Sequence, residues 1–394
     1  MKKIIFITVS FLLLFSCINK NPETASEKGI PYYVDVEKYV DNIRPVMLSE
    51  IGTSLEYVPL ETRPDLMLST LSNVVLYKDY LIVNDNKQIY MFGVDGKFIR
   101  KIGTNGRGPN EYVNPWFRIN EFNDWICVLS TKKILCFDLE GNLVHSIDLS
   151  ISNMGLVAVD NNRFLLDNAS AQSPFNQEDT VYNWYIIDNQ GNELERLRPM
   201  PKTTTFPIFI VAYQTSYLYN DEVHYITKYT DSLFYFSGEK EKLYAYFNLG
   251  KRKMNYNEIT REDLNNKGEI GDNTSPIQVL FTYEDDFYFY TTLGFGFIRH
   301  QNCLFNKKNQ EFIQIEDNKF KNDLDGGTDF YPNNICKDNT LVKYEDAFTL
   351  LNHINEMEPF EKSGRYKGEG LQLEDLKGII DENSNPVIIL CKRD

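Results

Sequence analysis

Six times along the chain, a short polar turn that ends in Asp or Asn leads directly into a run of β-forming residues. A recurrence of roughly 40 to 65 residues is typical of repeat architectures, and four strands per unit at that spacing match a propeller blade. The sequence therefore predicts an all-β fold, a six-bladed β-propeller. The six turns are Lys78-Asp79, Asn123-Asp124, Asn161-Asn162, Asn220-Asp221, Asp285-Asp286 and Asp338-Asn339.

A second kind of turn inside these units supports the same architecture. Asp95-Gly96, Glu140-Gly141 and Gln190-Gly191 each stand between two alternating apolar runs. Such pairs favour two-residue hairpin turns, because glycine adopts a positive φ without steric cost. In the first unit these turns divide residues 72–102 into four consecutive strands, which is the content of one blade.

The sixth unit is incomplete in chain order. Asp329–Lys337 and Thr340–Ala347 predict two of its strands, and Pro386–Lys392 predicts a third at the end of the sequence. The missing outer strand is expected from Leu55–Leu60, upstream of the first blade. This N-to-C strand closure would leave no free sheet edge, and free edges invite aggregation.

A helical insert is predicted within this last blade, at about 347–385. Apolar residues recur at helical spacing over 347–357 and again over 373–380, so each segment would present one apolar face. The insert would join the second and third strands of the blade.

The N-terminus predicts export. Residues 1–16 combine Lys2-Lys3 with an apolar stretch that is too short to span a bilayer, as in a signal peptide. Leu14-Phe15-Ser16-Cys17 resembles a bacterial lipobox, in which the cysteine becomes the acylated first residue. An ordinary secretion signal with an incidental cysteine is the alternative.

Residues 17–29 are expected to form a lipidated Cys17 and a flexible tether, because this small, polar segment cannot bury enough apolar surface to order itself. The propeller would then occupy residues 30–394. These expectations place the protein in the bacterial cell envelope, exported and anchored to a membrane through Cys17. Acyl chains make such an anchor stable, since each buried methylene adds about 0.8 kcal/mol.

The charge of the chain disfavours nucleic acid as a partner. The sequence has 41 basic and 56 acidic residues, a formal net charge of −15. Removal of Lys2 and Lys3 with the signal peptide leaves 39 basic against 56 acidic residues, or −17. Phosphate binding depends on Lys and Arg, so a chain this acidic is a poor nucleic-acid binder.

Three segments carry a resemblance to a known family: Tyr57–Thr62, Phe92–Tyr112 and Asn385–Leu390. With them the chain resembles the six-bladed β-propeller lipoproteins, which are related to NHL-repeat proteins and have no settled biochemical function. The resemblance covers most of residues 30–394, and its sharpest motif is Gly103–Tyr112. It implies the propeller fold and an envelope location.

The candidate ligand-binding residues come from this motif and from one histidine. Arg107, Glu111 and Tyr112 match the family motif in position. Arg107 could bind a carboxylate or phosphate, or it could pair with Glu111 and lock the loop. His300, beside Arg299, is the fourth candidate, whereas His145 and His224 lie in predicted strands and are interpreted as packed or surface residues.

The long loops are expected on the same face of the propeller as this motif. Long loops on a rigid scaffold often carry function, so this face is the predicted ligand site. The loops are 168–181, 199–213, 250–276, 317–328 and the insert.

No cofactor is predicted, although one acidic loop has the composition of a weak calcium site. Asp323, Asp325 and Asp329 cluster around a glycine turn, but the EF-hand spacing is absent because no bidentate Glu follows. A solvated loop is the preferred interpretation.

Cys127 and Cys136 are expected to face each other across a two-residue turn at Thr131-Lys132. They would form a pair without backbone hydrogen bonds, in which side chains approach most closely. A disulfide is one possibility in an exported protein. Two buried thiols that pack as small apolar side chains are the other.

Two functions are compatible with the sequence. The leading hypothesis is a membrane-anchored, non-catalytic binding or interaction module for a peptide, a glycan or an envelope protein. The alternative is a hydrolase or lyase with its site at the channel mouth. Convergent carboxylates with perturbed ionisation would favour the enzyme, and aromatic side chains around a lone arginine would favour binding.

Overall fold

Six sheets, each built on four antiparallel strands, are present in the part of the chain that the computed structural model describes. That part comprises residues 31–130, 132–150, 155–168, 180–201, 215–227, 230–237, 240–255, 275–296, 299–357, 360, 362, 364, 366–368 and 370–393. The predicted signal peptide, Cys17 and the tether lie outside it. Three strands precede the first complete blade: β1 (Tyr32–Val34), β2 (Ile43–Arg44) and β3 (Ser54–Pro59).

Blades 1 to 3 each take four consecutive strands from the chain. Blade 1 contains β4 (Asn73–Tyr77), β5 (Tyr80–Asn84), β6 (Ile89–Gly93) and β7 (Phe98–Ile102). Blade 2 contains β8 (Trp116–Asn120), β9 (Trp125–Ser130), β10 (Lys133–Phe137) and β11 (Leu143–Asp148). Blade 3 contains β12 (Leu156–Ala158), β13 (Arg163–Asp167), β14 (Thr180–Asp188) and β15 (Glu193–Pro201).

Blades 4 and 5 repeat this order, and blade 6 completes the ring. Blade 4 contains β16 (Ser216–Tyr219), β17 (Glu222–Ile226), β18 (Ser232–Ser237) and β19 (Lys240–Phe247). Blade 5 contains β20 (Ile277–Glu284), β21 (Tyr288–Phe295), β22 (Arg299–Asn306) and β23 (Phe312–Ile315). Blade 6 contains β24 (Asn334–Ile335), β25 (Leu341–Glu345) and β26 (Val387–Lys392), with β3 as its outer strand.

The ring closes as the sequence predicts, by pairing β3 with β26. The two strands are antiparallel, with Val387 opposite Pro59 and Leu390 opposite Glu56. Their side chains are largely buried, and Ile388 and Val387 are fully so. The all-β, six-bladed propeller with N-to-C strand closure is therefore confirmed.

The recurring polar turns join the first and second strands of the blades. Asn220 and Asp221 both have positive φ, 51° and 60°, as do Lys78, Asp124 and Asn339. Asn and Asp tolerate this left-handed region better than most residues, and a two-residue hairpin requires it. Positive φ therefore accounts for the Asn or Asp residues at three of the six turns, those with Asp124, Asn220-Asp221 and Asn339.

The antiparallel order fixes two faces of the ring. The turns between first and second strands and between third and fourth strands lie on one face, which we call the turn face. The connections between second and third strands and between blades lie on the opposite face, the loop face. The strand ends that flank the long loops and the insert lie at the loop face, whereas 169–179, 202–214 and 256–274 lie outside the described residues.

Two edge strands were not predicted. β1 pairs in parallel with β19, and β2 pairs in parallel with β23. The segment before β3 thus runs along the rim and covers the outer edges of blades 4 and 5, which protects those edges from further pairing.

The described part of the insert contains one α-helix and one 3₁₀ helix. The predicted first helix is α2 (Ala347–Glu356), whose Leu350 and Ile354 are buried, and α1 is the short Val36–Tyr39. The second predicted helix is a 3₁₀ helix, Leu373–Gly378, whose buried Leu373 and Leu376 lie three residues apart, in line with three residues per turn. Among the described residues, no helix has the length and apolarity needed to cross a bilayer. Other short 3₁₀ helices within the described ranges are Leu48–Glu50, Gly250–Arg252 and Glu316–Asn318.

The core lies between neighbouring blades. Ile82 and Met91 of blade 1, for example, belong to the same buried cluster as Phe117, Val128 and Leu135 of blade 2. Each blade therefore buries its two faces against its neighbours, and the inner strands β4, β8, β12, β16, β20 and β24 surround the centre.

Truncation of the closing strand should destabilise the whole ring. Ile388→Ala removes a fully buried side chain opposite Val58, so we expect the free energy of unfolding to fall by about 2–5 kcal/mol. The matched control is Ile379→Ala, since Ile379 is 53% exposed and its loss should change stability by less than about 0.5 kcal/mol. Urea unfolding measures the free energy of unfolding of both variants. Equal losses would contradict the claim that the β3–β26 pairing stabilises the ring.

Candidate functional site

A cavity of about 420 Å³ lies at the centre of the ring. Its walls come from the ends of the inner strands that lead into the polar turns, so it lies toward the turn face. The sequence analysis placed the ligand site on the opposite, loop face. Every blade contributes to the walls, among others Tyr77, Arg118, Val157, Tyr217, Tyr283 and Ile335, in blade order.

The cavity reaches solvent among the polar turns. Lys78 and Lys337 line it, and their side chains are 48% and 62% exposed. Asp338, also exposed, stands beside Lys337 at this rim. Two of the six recurring turns, at Lys78 and at Asp338, therefore form part of the cavity mouth.

Arg118 is the central polar group of the walls. It lies on β8 two residues after Trp116, so both side chains point to the same side of the strand. The guanidinium carbon is 4.2 Å from the centroid of the Trp116 ring, which is the geometry of a cation–π contact. The strand thus fixes the arginine against a rigid aromatic surface at the cavity.

The charge of Arg118 has no counter-ion in the described part of the chain, where no carboxylate lies within 4.0 Å of its guanidinium. The side chain is half-buried, and burial lowers the pKa of the guanidinium while the neighbouring Tyr283 raises it. Arginine remains protonated in proteins because its ordinary pKa exceeds 12. The cavity therefore holds a cation that lacks an ionic partner.

The lysines of the rim, by contrast, are paired. The Nζ atom of Lys78 is 2.6 Å from a carboxylate oxygen of Asp124. Lys337 of blade 6 lies 2.6 Å from Asp221 of blade 4 and 3.8 Å from Glu121 of blade 2. Lys337 therefore spans the mouth between two blades that are not its neighbours, although such exposed pairs contribute little stability.

A buried ion pair forms the wall between blades 4 and 5. Glu284 accepts hydrogen bonds from the Nζ atom of Lys307 at 2.5 Å and from the hydroxyls of Tyr217 and Tyr244 at 2.8 Å each. Burial raises the pKa of the Glu284 carboxyl, and the charge of Lys307 lowers it. Both carboxylate oxygens thus have donors, which is how a buried charge becomes tolerable.

His224 packs inside this wall. It is 1% exposed, and its ring is stacked between those of Tyr217 and Tyr235 at centroid distances of 5.4 and 5.5 Å. Its Nδ1 atom is 3.3 Å from Glu284. Burial lowers the pKa of His224 to about 3, and the charge of Lys307 acts in the same direction. The imidazole is therefore neutral at pH 7, as suits the packed residue that the sequence suggested.

The Gly103–Tyr112 motif forms a tight loop between blades 1 and 2. Tyr112 is fully buried, and its hydroxyl accepts from the side chain of Gln88 at 2.6 Å and donates to the carbonyl of Ile102. Glu111 accepts from the backbone N–H of Gly108 at 2.7 Å, and a side chain at Gly106 would collide with its carboxylate. Close packing against Glu111 therefore favours glycine at position 106 of this motif.

Arg107, in the same loop, is exposed. No ion pair joins it to Glu111, whose carboxylate is turned to the loop backbone instead. It lies on the loop face, so the structure does not bring it to the central cavity. Its proposed contact with a carboxylate or phosphate stays a prediction, as does that of Glu111.

His300 lies at the start of β22, opposite Gly294, and is exposed. Its carbonyl accepts a hydrogen bond from Asn318 at 3.4 Å. His300 is on the loop face too and does not line the cavity.

The three aspartates of the acidic loop have separate partners. Asp323 accepts from the hydroxyl of Ser49 at 2.6 Å, and the buried Asp325 accepts from the hydroxyl of Tyr57 at 2.8 Å. Asp329 pairs with Lys321 at 3.0 Å. The described residues contain no group of three His, Cys, Asp or Glu side chains arranged to hold a metal ion.

Cys127 and Cys136 face each other, as their predicted register requires. Both are buried free thiols, and their sulfur atoms are 3.0 Å apart. Of the two interpretations, the structure shows the pair of packed thiols.

Arg118, Glu284 and Lys307 were not predicted from the sequence. A signal was present, since Arg118 and Glu284 are charged residues in β-forming runs that end at the recurring turns. Inner strands bring such positions to the centre of a propeller, so the turns marked the cavity mouth as well as the blades.

The described fold and site can be compared with known proteins. A family model described as a domain of unknown function (DUF4934) matches residues 31–392, which span all six blades. The chain belongs to this family. No curated protein is significantly similar to it in sequence.

Solved structures resemble this DUF4934 chain in fold. A Bacteroides fragilis protein, named only provisionally as exported, is 14% identical with a TM-score of 0.67, over 90% of this chain and 98% of that chain. The N-terminal domain of Nup159 is 9% identical, with a TM-score of 0.37 over 77% and 76%. The β-propeller domain of Vanderwaltozyma polyspora Nup133 is 14% identical, with a TM-score of 0.36 over 66% and 71%. The first likeness concerns the fold alone, and the other two are too weak for argument.

The buried His224 should make stability depend on pH. Between pH 6.5 and about 3 the unfolded chain binds a proton at this residue and the folded chain does not, so acid favours unfolding. The free energy of unfolding should fall by about 1.4 kcal/mol per pH unit through this residue, and His224→Phe should remove that part of the slope. Urea unfolding from pH 4.5 to 7.5 measures it.

Tyr235→Phe is the control, because it perturbs the same ring stack without removing the imidazole. Its curve should stay parallel to that of the wild type, while His224→Phe should converge with the wild type as the pH falls. If the stability curves of the wild type and His224→Phe remain parallel, the prediction that His224 is buried in its neutral form is wrong.

Proposed function

We propose that this protein is an exported, membrane-anchored β-propeller lipoprotein that binds its ligand non-catalytically in the central cavity. The observation that carries the proposal is the lone cation of Arg118 among the aromatic side chains Trp116, Tyr217 and Tyr283. Aromatic side chains around an arginine without a carboxylate partner are the arrangement expected of a binding site. The ligand would be a peptide or glycan, or part of an envelope protein, and not a nucleic acid.

The size and shape of the cavity support this role. Its volume of about 420 Å³ is within the range of small-molecule sites, which run from about 300 to 1,000 Å³. Its walls come from six inner strands, so the site is largely pre-formed and a ligand would pay little ordering entropy. It suits a small molecule or the end of a longer chain.

The ionisable groups of the wall support a non-catalytic role. A general acid or base must exchange a proton with the ligand from a position within hydrogen-bond reach. Glu284 is saturated by Lys307, Tyr217 and Tyr244, and His224 is stacked between two tyrosines. These groups stabilise the wall, and the hydrolase or lyase considered above gains no support from them.

Export and anchoring rest on the N-terminal sequence. The signal-like residues 1–16 and the lipobox-like Leu14–Cys17 support them, and so does the fold likeness to a Bacteroides fragilis protein named provisionally as exported. The proposed relation to NHL-repeat lipoproteins rests on the sequence resemblance. The binding face of the ring would then be presented within the cell envelope.

A cavity-filling variant tests the binding role. The full-length protein in detergent is screened by thermal shift with N-acetylated dipeptides, mono- and disaccharides and divalent ions. Any compound that raises the melting temperature should lose its effect in Val75→Trp, because Val75 lines the cavity. Val144→Trp, on the exposed outer strand β11, should retain it.

Three results would contradict the proposal. The rise in melting temperature could persist in Val75→Trp and disappear in Arg107→Ala, which would indicate that the binding site lies on the loop face. Alternatively, NMR of the stabilising compound could show a new product after incubation, which would favour the hydrolase or lyase. A screen without any stabiliser would also count against a binding module.

The anchor has its own test. Cells that express the wild type should incorporate radioactive palmitate into the protein, and Cys17→Ala should abolish the label because the acylated thiol is gone. Cys336→Ala, which changes a half-buried cysteine of the propeller, should keep it. Unchanged labelling of Cys17→Ala would exclude Cys17 as the anchor.

A further inference from the structure

We infer that the central cavity selects a small organic acid with one carboxylate and an apolar body, such as the C-terminal end of a peptide, and that Arg118 receives the carboxylate. This inference rests on the proposed binding function and adds the chemical class of the ligand. It follows from the charges of the cavity wall, from the acidity of the rim and from the hydrogen bonds that the wall tyrosines already make.

The first step is the state of the charged groups that line the cavity. Lys78, Lys337 and Glu121 take part in ion pairs at the rim, and Glu284 is paired with Lys307. Of the charged lining residues, only Asp338 and Arg118 lack an ionic partner within the described part of the chain. Asp338 is exposed, so water solvates it.

Arg118 differs because its guanidinium is partly withdrawn from water. A half-buried charge without a counter-ion is unfavourable, and an anion that enters the cavity would remove that cost. The planar guanidinium can form two parallel hydrogen bonds with a carboxylate, which also fixes the orientation of the ligand. Trp116 restricts the guanidinium from one side, so the anion must approach from the cavity.

The charged residues of the rim favour a ligand with one negative charge over a ligand with several. Glu121, Asp221 and Asp338 stand around the mouth, against the two lysines Lys78 and Lys337. A phosphomonoester or a polyanionic chain would place more negative charge beside these carboxylates than Arg118 neutralises. Like-charge contacts of that kind discriminate against a ligand. A monocarboxylate neutralises Arg118 and adds no excess charge.

The hydrogen bonds of the wall tyrosines favour a ligand with an apolar body over a ligand rich in hydroxyl groups. The hydroxyl of Tyr77 donates to Asp124 at 2.6 Å, and that of Tyr217 donates to Glu284 at 2.8 Å. Tyr77 and Tyr217 have thus used their donor hydrogens, the Tyr283 hydroxyl is hydrogen-bonded to the Arg118 guanidinium, and Val75, Val157 and Ile335 offer no donor. A sugar ring would lose hydrogen bonds to water there without replacement, whereas an apolar side chain would gain from burial.

Isothermal titration calorimetry with matched probes tests the inference. N-acetylphenylalanine carries the carboxylate, and N-acetylphenylalaninamide is its neutral analogue. In titrations of the full-length protein in detergent, the acid should bind about ten- to a hundredfold more tightly than the amide. Phenyl phosphate and glucuronate should both bind more weakly than the acid.

Variants of Arg118 connect this preference to the residue. Arg118→Met keeps a long apolar side chain over Trp116 and should abolish the preference for the acid. Arg118→Lys keeps the charge without the two-pronged geometry and should reduce the preference several-fold. Arg100→Met, on the outer strand β7, should leave it unchanged.

The contradicting results separate the ligand class from the binding function. Equal affinity for acid and amide, abolished in Val75→Trp, would overturn the carboxylate and leave the cavity as a binding site. A preference for the acid that survives in Arg118→Met would overturn the role of Arg118. If glucuronate binds more tightly than N-acetylphenylalanine, the inferred apolar body of the ligand is wrong. If none of the four probes binds, the inference as a whole is wrong.

Discussion

The pairing of β3 with β26 is the interaction on which the rest of the structure depends. It joins residues 54–59 to residues 387–392 through six consecutive register pairs, so the two ends of the propeller share one sheet. Blades bury their faces only against their neighbours, and an open ring would expose two such faces at once. Closure also gives the six inner strands a common centre, without which Arg118, Tyr217 and Tyr283 would not share a cavity.

Closure has an electrostatic consequence, because it gathers charged residues from different blades around one axis. Most of them are neutralised by ion pairs, either across the ring, as where Lys337 meets Asp221, or within one blade, as where Lys307 meets Glu284. Arg118 is the half-buried exception, since it contacts the Trp116 ring and has no carboxylate partner among the described residues. A partly buried charge that costs stability and has no internal counter-ion is typical of a functional site, where stability is exchanged for affinity.

The sequence predicts the blades because each depends on local chemistry. Asn220-Asp221 and three of the related turns contain a residue with positive φ, and the flanking strands show their own alternation. It also predicts the seam, since Leu55–Leu60 is a strand without a local partner. It does not predict the parallel edge strands β1 and β2, which are too short to show a period, or the cavity, whose residues meet only after closure. The Gly103–Tyr112 motif suggested a ligand site at Tyr112, yet its pattern reflects close packing around that buried ring.

A crystal structure of the protein with N-acetyl-4-bromophenylalanine is the most direct test of the central claim, that Arg118 makes the closed ring a receptor for a carboxylate. Anomalous scattering locates the bromine without reference to the assumed pose. We expect the bromine inside the central cavity and the carboxylate about 3 Å from the Arg118 guanidinium. A bromine beside the Gly103–Tyr112 loop, or a carboxylate directed away from Arg118, would contradict the account.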